Sequence, residues 1–318
     1  MSFKYLITGG AGNLAWYTAR VLVAGGKQVV LIDLAPAPPA DLPEGCQYRA
    51  CDLTQTAAVR AMLEQVRPQA VLHFASLLSA RSEEVRPAAW RLNVDASFTL
   101  LESCLELGIR RVLFPSSVAS YGGRLPRPLP EDHPQWPESL YGVSKVAVER
   151  LGAYYHARHG LDFRCLRVPI VVSPRANVGA ASAYVSRAFI EAYRTGRFTF
   201  RVRRETAPAI IYVHDVVAAL LGLLEAPEAR LSRRVYNIHA LAPAAEEVAA
   251  CIGSRLSSAR LLFDPDPAVT SLMEGWPSQI DDAAARHDWG WQPQFDLDRL
   301  ADHMLEELAR GAGPASGL

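Results

Sequence analysis

The chain has 318 residues, 50% of them hydrophobic, with 33 Lys+Arg set against 33 Asp+Glu. A balanced charge leaves no long-range field to gather nucleic acid or an anionic membrane surface, so neither is expected as a partner. No apolar run approaches the roughly 20 residues needed to span a bilayer.

The opening MSFK leads straight into a strand pattern without a signal-peptide core. Cys46, Cys51, Cys104, Cys165 and Cys251 are odd in number and form no CxxC. They read as small apolar residues of a reducing, cytoplasmic protein.

In chain order, strand-like runs fall at 4–9, 28–33, 46–51, 70–75, 111–116 and 162–168. They are continuously apolar, as in strands covered on both faces. Helical patterns at 12–25, 56–66, 87–108 and 139–159 lie between them. This β-α-β-α order predicts an α/β fold: a Rossmann-type, doubly wound parallel sheet with right-handed crossovers. After about residue 170 the rhythm changes. A helix is expected over 180–195, a strand over 198–204, a strand running into a helix over 209–226, a strand over 234–240 and a mostly helical tail. We therefore expect a cofactor domain over 1–173, with 206–240 returning to it. A smaller interleaved substrate subdomain would take 174–205 and 241–318.

The run YLITGGAGNLAWYTARVL turns from strand to helix through Gly9, Gly10 and Gly12. Glycines there allow a tight turn and close approach of backbone to a pyrophosphate, which the helix N-terminus attracts. Ala15 occupies the small position that permits helix–strand packing. Asp33 ends the second strand, 21 residues after Gly12, where a carboxylate can bind ribose hydroxyls and repel a 2′-phosphate. NAD is therefore expected in preference to NADP. Asp52, after the third strand, is placed to border the adenine side.

In SLYGVSKVAVER, Tyr141 and Lys145 are four apart on a predicted helix and share a face. An ammonium beside a phenol lowers its pKa, and the pair can then move a proton on a substrate hydroxyl. Ser117 lies beyond the carboxyl end of the fifth strand, 24 residues before Tyr141, where open α/β sheets bind ligands.

With TGGAGNLA, HFAS, NVDAS, PSSVASYG and YGVSK in order, the whole chain resembles the extended short-chain dehydrogenase/reductases, the NAD-dependent epimerase/dehydratase family. The resemblance implies an oxidoreductase with bound NAD and Ser117, Tyr141 and Lys145 as its catalytic residues. It implies cofactor contacts from Gly9, Gly12, Asn13, Leu14, Asp33, Asp52, Leu53, Phe74, Ala75, Ser76, Asn93, Pro115, Tyr141, Lys145 and Val168. Asn93 would serve either the cofactor or the shape of its helix. It also suggests a homodimer through the long helices 87–108 and 139–159.

The segments LLSARSEE (77–84) and 264–291 are similar to the short-chain type of L-threonine 3-dehydrogenase, where the serine matching Ser79 lies at the substrate. Gly179-Ala180-Ala181-Ser182 departs from the Gly-Thr-Thr-Asp of that type, and NVGAASAYVSRAF is more like D-erythronate dehydrogenase. Both imply oxidation of a secondary hydroxyl on a small carboxylate-bearing substrate. Ser79, Ser117, Tyr141, Arg175, Asn177 and Ser182 are the candidate substrate contacts. Arg175 could equally be a solvated loop residue.

The basic stretch Arg194, Arg197, Arg201, Arg203 and Arg204 supports a second reading, a nucleotide-sugar epimerase or dehydratase with tightly held NAD. Its alternation also fits a strand with a charged outer face. His156 and His159 lack a third ligand in view, and no metal is expected. Asp215 is expected to sit at a helix N-terminus, and His73 to be a satisfied core histidine.

Overall fold

The computed structural model describes residues 4–123, 125–177 and 179–311. It contains β1 (Lys4–Thr8), α1 (Asn13–Ala24), β2 (Gln28–Asp33), β3 (Cys46–Ala50), α2 (Thr56–Val66), β4 (Ala70–His73), α3 (Ser79–Glu84) and α4 (Arg86–Trp90). A π-helical turn (Arg91–Asp95) leads into α5 (Ala96–Glu106), then β5 (Arg111–Ser117), α6 (Leu140–His159), β6 (Asp162–Val168) and β7 (Ile170–Val172). There follow α7 (Tyr184–Thr195), β8 (Arg197–Phe200), β9 (Ile210–Tyr212), α8 (Val213–Glu225), β10 (Val235–Asn237) and α9 (Ala245–Arg255). The chain closes with β11 (Arg260–Phe263), α10 (Pro267–Glu274), α11 (Ala283–Trp289) and α12 (Leu297–Ala309).

Seven strands form the central sheet in the order β10-β6-β5-β4-β1-β2-β3. The pairs β1–β2, β1–β4, β2–β3 and β4–β5 run parallel. The strand order reverses between β1 and β4, the switch point at whose carboxyl edge such sheets bind ligands. β1, β2 and β4 are apolar almost throughout because helices cover both faces. One large core cluster gathers Leu6, Val30, Val71, Leu100, Phe114 and Phe163, all at most 3% exposed.

The predicted continuous helix over 87–108 is instead α4, the π turn and α5. Asn93 in that turn supplies a reason. Its Oδ1 accepts from Leu77 N at 2.8 Å, and its Nδ2 donates to Leu77 O at 3.0 Å and to Ser144 Oγ at 3.3 Å. The wider turn points Asn93 inward, where it ties down the loop after β4.

The chain divides into two compact units: Met1–Ser120, Gln135–Arg167 and Leu220–Tyr236 in the first, and Tyr121–Pro134, Val168–Ala219 and Asn237–Leu318 in the second. Within the second, β7 pairs parallel with β9, and β8 with β11. Of the segment expected to return to the main sheet, β10 does so, whereas β9 pairs with β7 and bridges Leu241 through Ile210.

β8 is shorter than the predicted 198–204. It buries Phe198 and Phe200 and turns its other residues outward. Arg201 pairs with Asp264 and Asp266, Arg203 with Glu205 and Glu274, and Arg204 covers the Phe263 ring at 4.3 Å. Acids and an aromatic face therefore already engage these three arginines. All five cysteines are unpaired. Among the described residues no helix is long and apolar enough to cross a membrane.

Candidate active site

The loop between β1 and α1 gives its three glycines different tasks. Gly9 has φ +67°, and a Cβ there would stand 2.8 Å from Ala75 N. At Gly10 a Cβ would meet Leu31 Cβ at 2.7 Å, while its N–H donates to Ile32 O at 2.9 Å. Gly10 is therefore a packing residue against β2, and the expected phosphate-facing role does not fit it. Gly12 is exposed and stands at the N-cap of α1 with φ −77°, which any residue can adopt. It provides no capping side chain. The first-turn N–H groups of a helix have no partner inside the helix. Asn13 and Leu14 thus begin a helix end suited to a phosphate. Ala15, 1% exposed, does fill a packing position. Trp16 leans outward, donating from Nε1 to Asp41 O at 2.8 Å.

Asp33 accepts from Ala11 N at 3.0 Å and from Leu34 N at 2.7 Å. The acid at the end of β2 thus holds the glycine loop directly. This cradle fits a dinucleotide: a glycine-capped helix N-terminus beside a carboxylate at the end of the second strand.

Asp52 instead accepts from Thr54 N at 2.9 Å and Thr54 Oγ1 at 2.7 Å, bonds that hold its pKa down. Leu53 beside it is 6% exposed. Beyond β4 the chain leaves the sheet through half-buried Phe74, Ala75 and Ser76. Ala75 N donates to Thr8 Oγ1 at 3.0 Å. Ser79, half-buried, opens α3. Val168, 5% exposed, ends β6.

α6 carries Tyr141 and Lys145. Ser139 caps it by accepting from Gly142 N at 3.1 Å, and Gly160 ends it in the left-handed conformation. Gly142 is required for space: a Cβ there would lie 2.3 Å from Ala119 O. That approach brings the first turn of α6 onto the turn that follows β5. Lys145, 4% exposed, donates from Nζ to Pro115 O at 2.9 Å. The same Nζ lies 4.4 Å from the Phe114 ring centre and 5.2 Å from that of Tyr141. Ser117, 9% exposed, accepts from Ala119 N at 3.2 Å.

Burial pushes the Tyr141 hydroxyl up to about 12, with a hydrogen bond to Ser117 acting the other way. Tyr141 still keeps an edge accessible to solvent. Burial lowers Lys145 to about 8, opposed by Cys165 and Glu149. For Tyr141 this burial outweighs the lowering expected from Lys145. Desolvation of both side chains dominates.

In the second unit, Arg175 is 7% exposed, so it is no solvated loop arginine. Its N–H donates to Ser173 Oγ at 3.1 Å. Asn177 is exposed, and its Oδ1 accepts from Gly179 N at 3.1 Å. Ser182 is half-buried in a single 3-10 turn, Ala181–Ala183, just before α7. Asp215 does not act on its own helix alone. It is 1% exposed and accepts from Gln294 N at 2.8 Å and Phe295 N at 3.2 Å.

Two groupings escaped the reading of the sequence. Behind Lys145, Glu149 accepts from Ser116 Oγ, from Gln135 Nε2 at 2.9 Å and from Arg167 Nη2 at 2.8 Å. Its place four residues after Lys145 on the same helix was the available signal. In the second unit, His214, His303 and Glu307 converge.

The model of the NAD dependent epimerase/dehydratase family matches residues 5–238. The bovine (Bos taurus) protein named mitochondrial L-threonine 3-dehydrogenase is 34% identical over 305 residues, 95% of this chain and 82% of that one. The crystal structure of L-threonine dehydrogenase from Phytophthora infestans is 32% identical with TM-score 0.88, covering 97% of this chain and 99% of that one. A structure described as a monomeric L-threonine 3-dehydrogenase from a metagenome is 26% identical with TM-score 0.88, covering 97% and 99%. The chain belongs to the NAD dependent epimerase/dehydratase family and is an NAD-dependent oxidoreductase of the short-chain dehydrogenase/reductase type.

Proposed function

We propose that the protein oxidises a secondary hydroxyl of a small carboxylate-bearing substrate, a threonine-like amino acid or a short sugar acid. The observation that carries this reading is the clustering of Ser117, Tyr141 and Lys145 at the carboxyl end of β5. In this scheme Tyr141 takes the hydroxyl proton, Ser117 holds the reacting oxygen by hydrogen bonding, and Lys145 stabilises the phenolate electrostatically. Gly12, Asn13, Leu14 and Asp33 would hold NAD, which when bound accepts hydride and brings positive charge to the site.

Relatives named L-threonine 3-dehydrogenase favour threonine, whereas Gly179-Ala180-Ala181-Ser182 favours a substrate that needs fewer hydroxyl partners. Ser79, Arg175, Asn177 and Ser182 are its proposed contacts, with Arg175 assigned to the carboxylate. Purified protein and NAD, assayed for reduced-cofactor absorbance against L-threonine, L-serine, D-erythronate and L-threonate, should turn over at least one. Tyr141→Phe should abolish that turnover and spare NAD binding. Silence across the panel with turnover of a nucleotide sugar would overturn the proposal.

We also propose a homodimer through α5 and α6. Phe98 is 47% exposed and Tyr154 52% exposed on these helices, whereas Leu101 and Tyr155 are spent in the core. Light scattering should give twice the chain mass, and Phe98→Asp should halve it. A monomeric wild type would refute the assignment. The five unpaired cysteines fit a reducing compartment such as the cytoplasm.

A further inference from the structure

Three potential metal ligands meet where α12 packs beside the junction of β9 and α8, all within the second unit. His303 and Glu307 are four apart on α12 and share one face. His214 is the second residue of α8. One ligand atom from each of the three lies within 4.8 Å of the others. His214 Nε2 and Glu307 Oε1 are 3.3 Å apart. Two donors about 2.0–2.1 Å from a tetrahedral ion stand ~3.3 Å apart, so this edge has the required length already.

The surroundings also suit a metal. His303 Nδ1 and the hydroxyl of fully buried Tyr212 are 2.9 Å apart. When Nδ1–H donates to Tyr212, Nε2 is left bare as a ligand, the outer partner that metal-bound histidines usually have. Phe295 flanks Tyr212 at 4.8 Å and His303 at 5.6 Å between ring centres, so one wall is apolar. Glu307 is 8% exposed, while the His214 side chain keeps 30% of its surface accessible, leaving a path for entry. Nearby Glu306 is paired with Arg310. Asp215, adjacent to His214, is tied to Gln294 N and Phe295 N and stands outside the ligand set.

We propose that His214, His303 and Glu307 bind one divalent transition-metal ion of the zinc class, with water in the fourth position. Two imidazoles and one carboxylate match zinc, and they are too few and too nitrogen-rich for calcium or magnesium. The ion clamps α12 to the start of α8 and so stabilises the second unit. This site stands on residues that take no part in the oxidoreductase reading.

The test uses the tag-free full chain, stripped with chelator, desalted and titrated with zinc sulfate against a chromogenic zinc indicator at pH 7.5. One equivalent should bind per chain and raise the melting temperature. His214→Ala and His303→Ala should each lose that equivalent and the thermal shift. Tyr212→Phe, which keeps all three ligands, should bind 10–100-fold more weakly. Cobalt substitution should give the visible bands of a four-coordinate ion, and His303→Gln guards against loss through misfolding, checked by circular dichroism. Failure to bind an equivalent, or binding equally strong in the folded His214 and His303 variants, would overturn the site.

Discussion

Lys145 Nζ lies 5.2 Å from the centre of the Tyr141 ring while donating to the Pro115 carbonyl. The lysine is therefore anchored to β5 and held beneath the phenol without bonding to it here. Its charge acts through space, and Glu149, one turn further along α6, helps to keep it charged. Lys145→Ala should lower kcat/KM by about 10²–10⁴-fold. Because a cation favours the tyrosinate, its loss should also move the rising limb of the oxidation pH profile to higher pH. A fall in rate with an unmoved limb would mean that the lysine only positions its neighbours.

The glycine loop separates folding from binding. Gly10→Ala places a methyl 2.7 Å from Leu31 Cβ and should cost about 1–3 kcal/mol of stability by overpacking. Gly12→Ala meets only Gly9 O, at 3.0 Å, and should leave stability within about 1 kcal/mol. Its methyl would stand on the exposed approach to the α1 N-terminus, so NAD should bind at least tenfold more weakly. Thermal denaturation and cofactor fluorescence titration measure the two effects. Equal loss of stability in both variants would contradict the division.

Much of the first unit was legible because buried parallel strands leave continuous apolar runs and the glycine loop has a fixed spacing from Asp33. What escaped depended on contacts distant in sequence. The π turn within the helix over 87–108 accompanies Asn93 bonding to Leu77, which no periodicity records. The packing role of Gly10 needs Leu31 in place. Strand β9 has the same apolar signature whether it joins the large sheet or pairs with β7. His303 and Glu307 do show helical spacing, but His214 lies 89 residues before His303 and only the fold brings it there. For the proposed catalytic residues the pattern located the groups, whereas their protonation depends on burial that a sequence does not display.

Asp33 has two duties that substitution can part. It accepts from Ala11 N and Leu34 N, and its position suits the adenosine ribose. Asp33→Asn retains one acceptor oxygen and removes the charge. NAD should bind about tenfold more weakly, and the preference for NAD over NADP should fall by a similar factor as repulsion of the 2′-phosphate disappears. Asp33→Ala should lose more, because the loop bond goes too. An unchanged cofactor preference in Asp33→Asn would show that another residue reads the ribose.

His73 is 2% exposed, with Nδ1 2.8 Å from Thr8 Oγ1 and Nε2 2.9 Å from Ser97 Oγ. Burial, aided by the charge of Lys145, lowers its pKa from 6.5 to about 3. Between those values the unfolded chain binds a proton that the native protein refuses. The unfolded state thus gains protons as pH falls, and stability falls with pH below 6.5, by up to about 1.4 kcal/mol per unit. The loss continues until the native pKa near 3 is reached. His73→Gln retains hydrogen-bonding groups and removes the titration. Urea denaturation at pH 7 and pH 5 should therefore show the wild type losing about 2 kcal/mol more than the variant. The variant will be less stable at pH 7 if its amide packs poorly, but the pH-dependent difference isolates the histidine. Equal losses would mean that His73 takes its proton in place, with Thr8 and Ser97 reorienting to accept from both ring nitrogens.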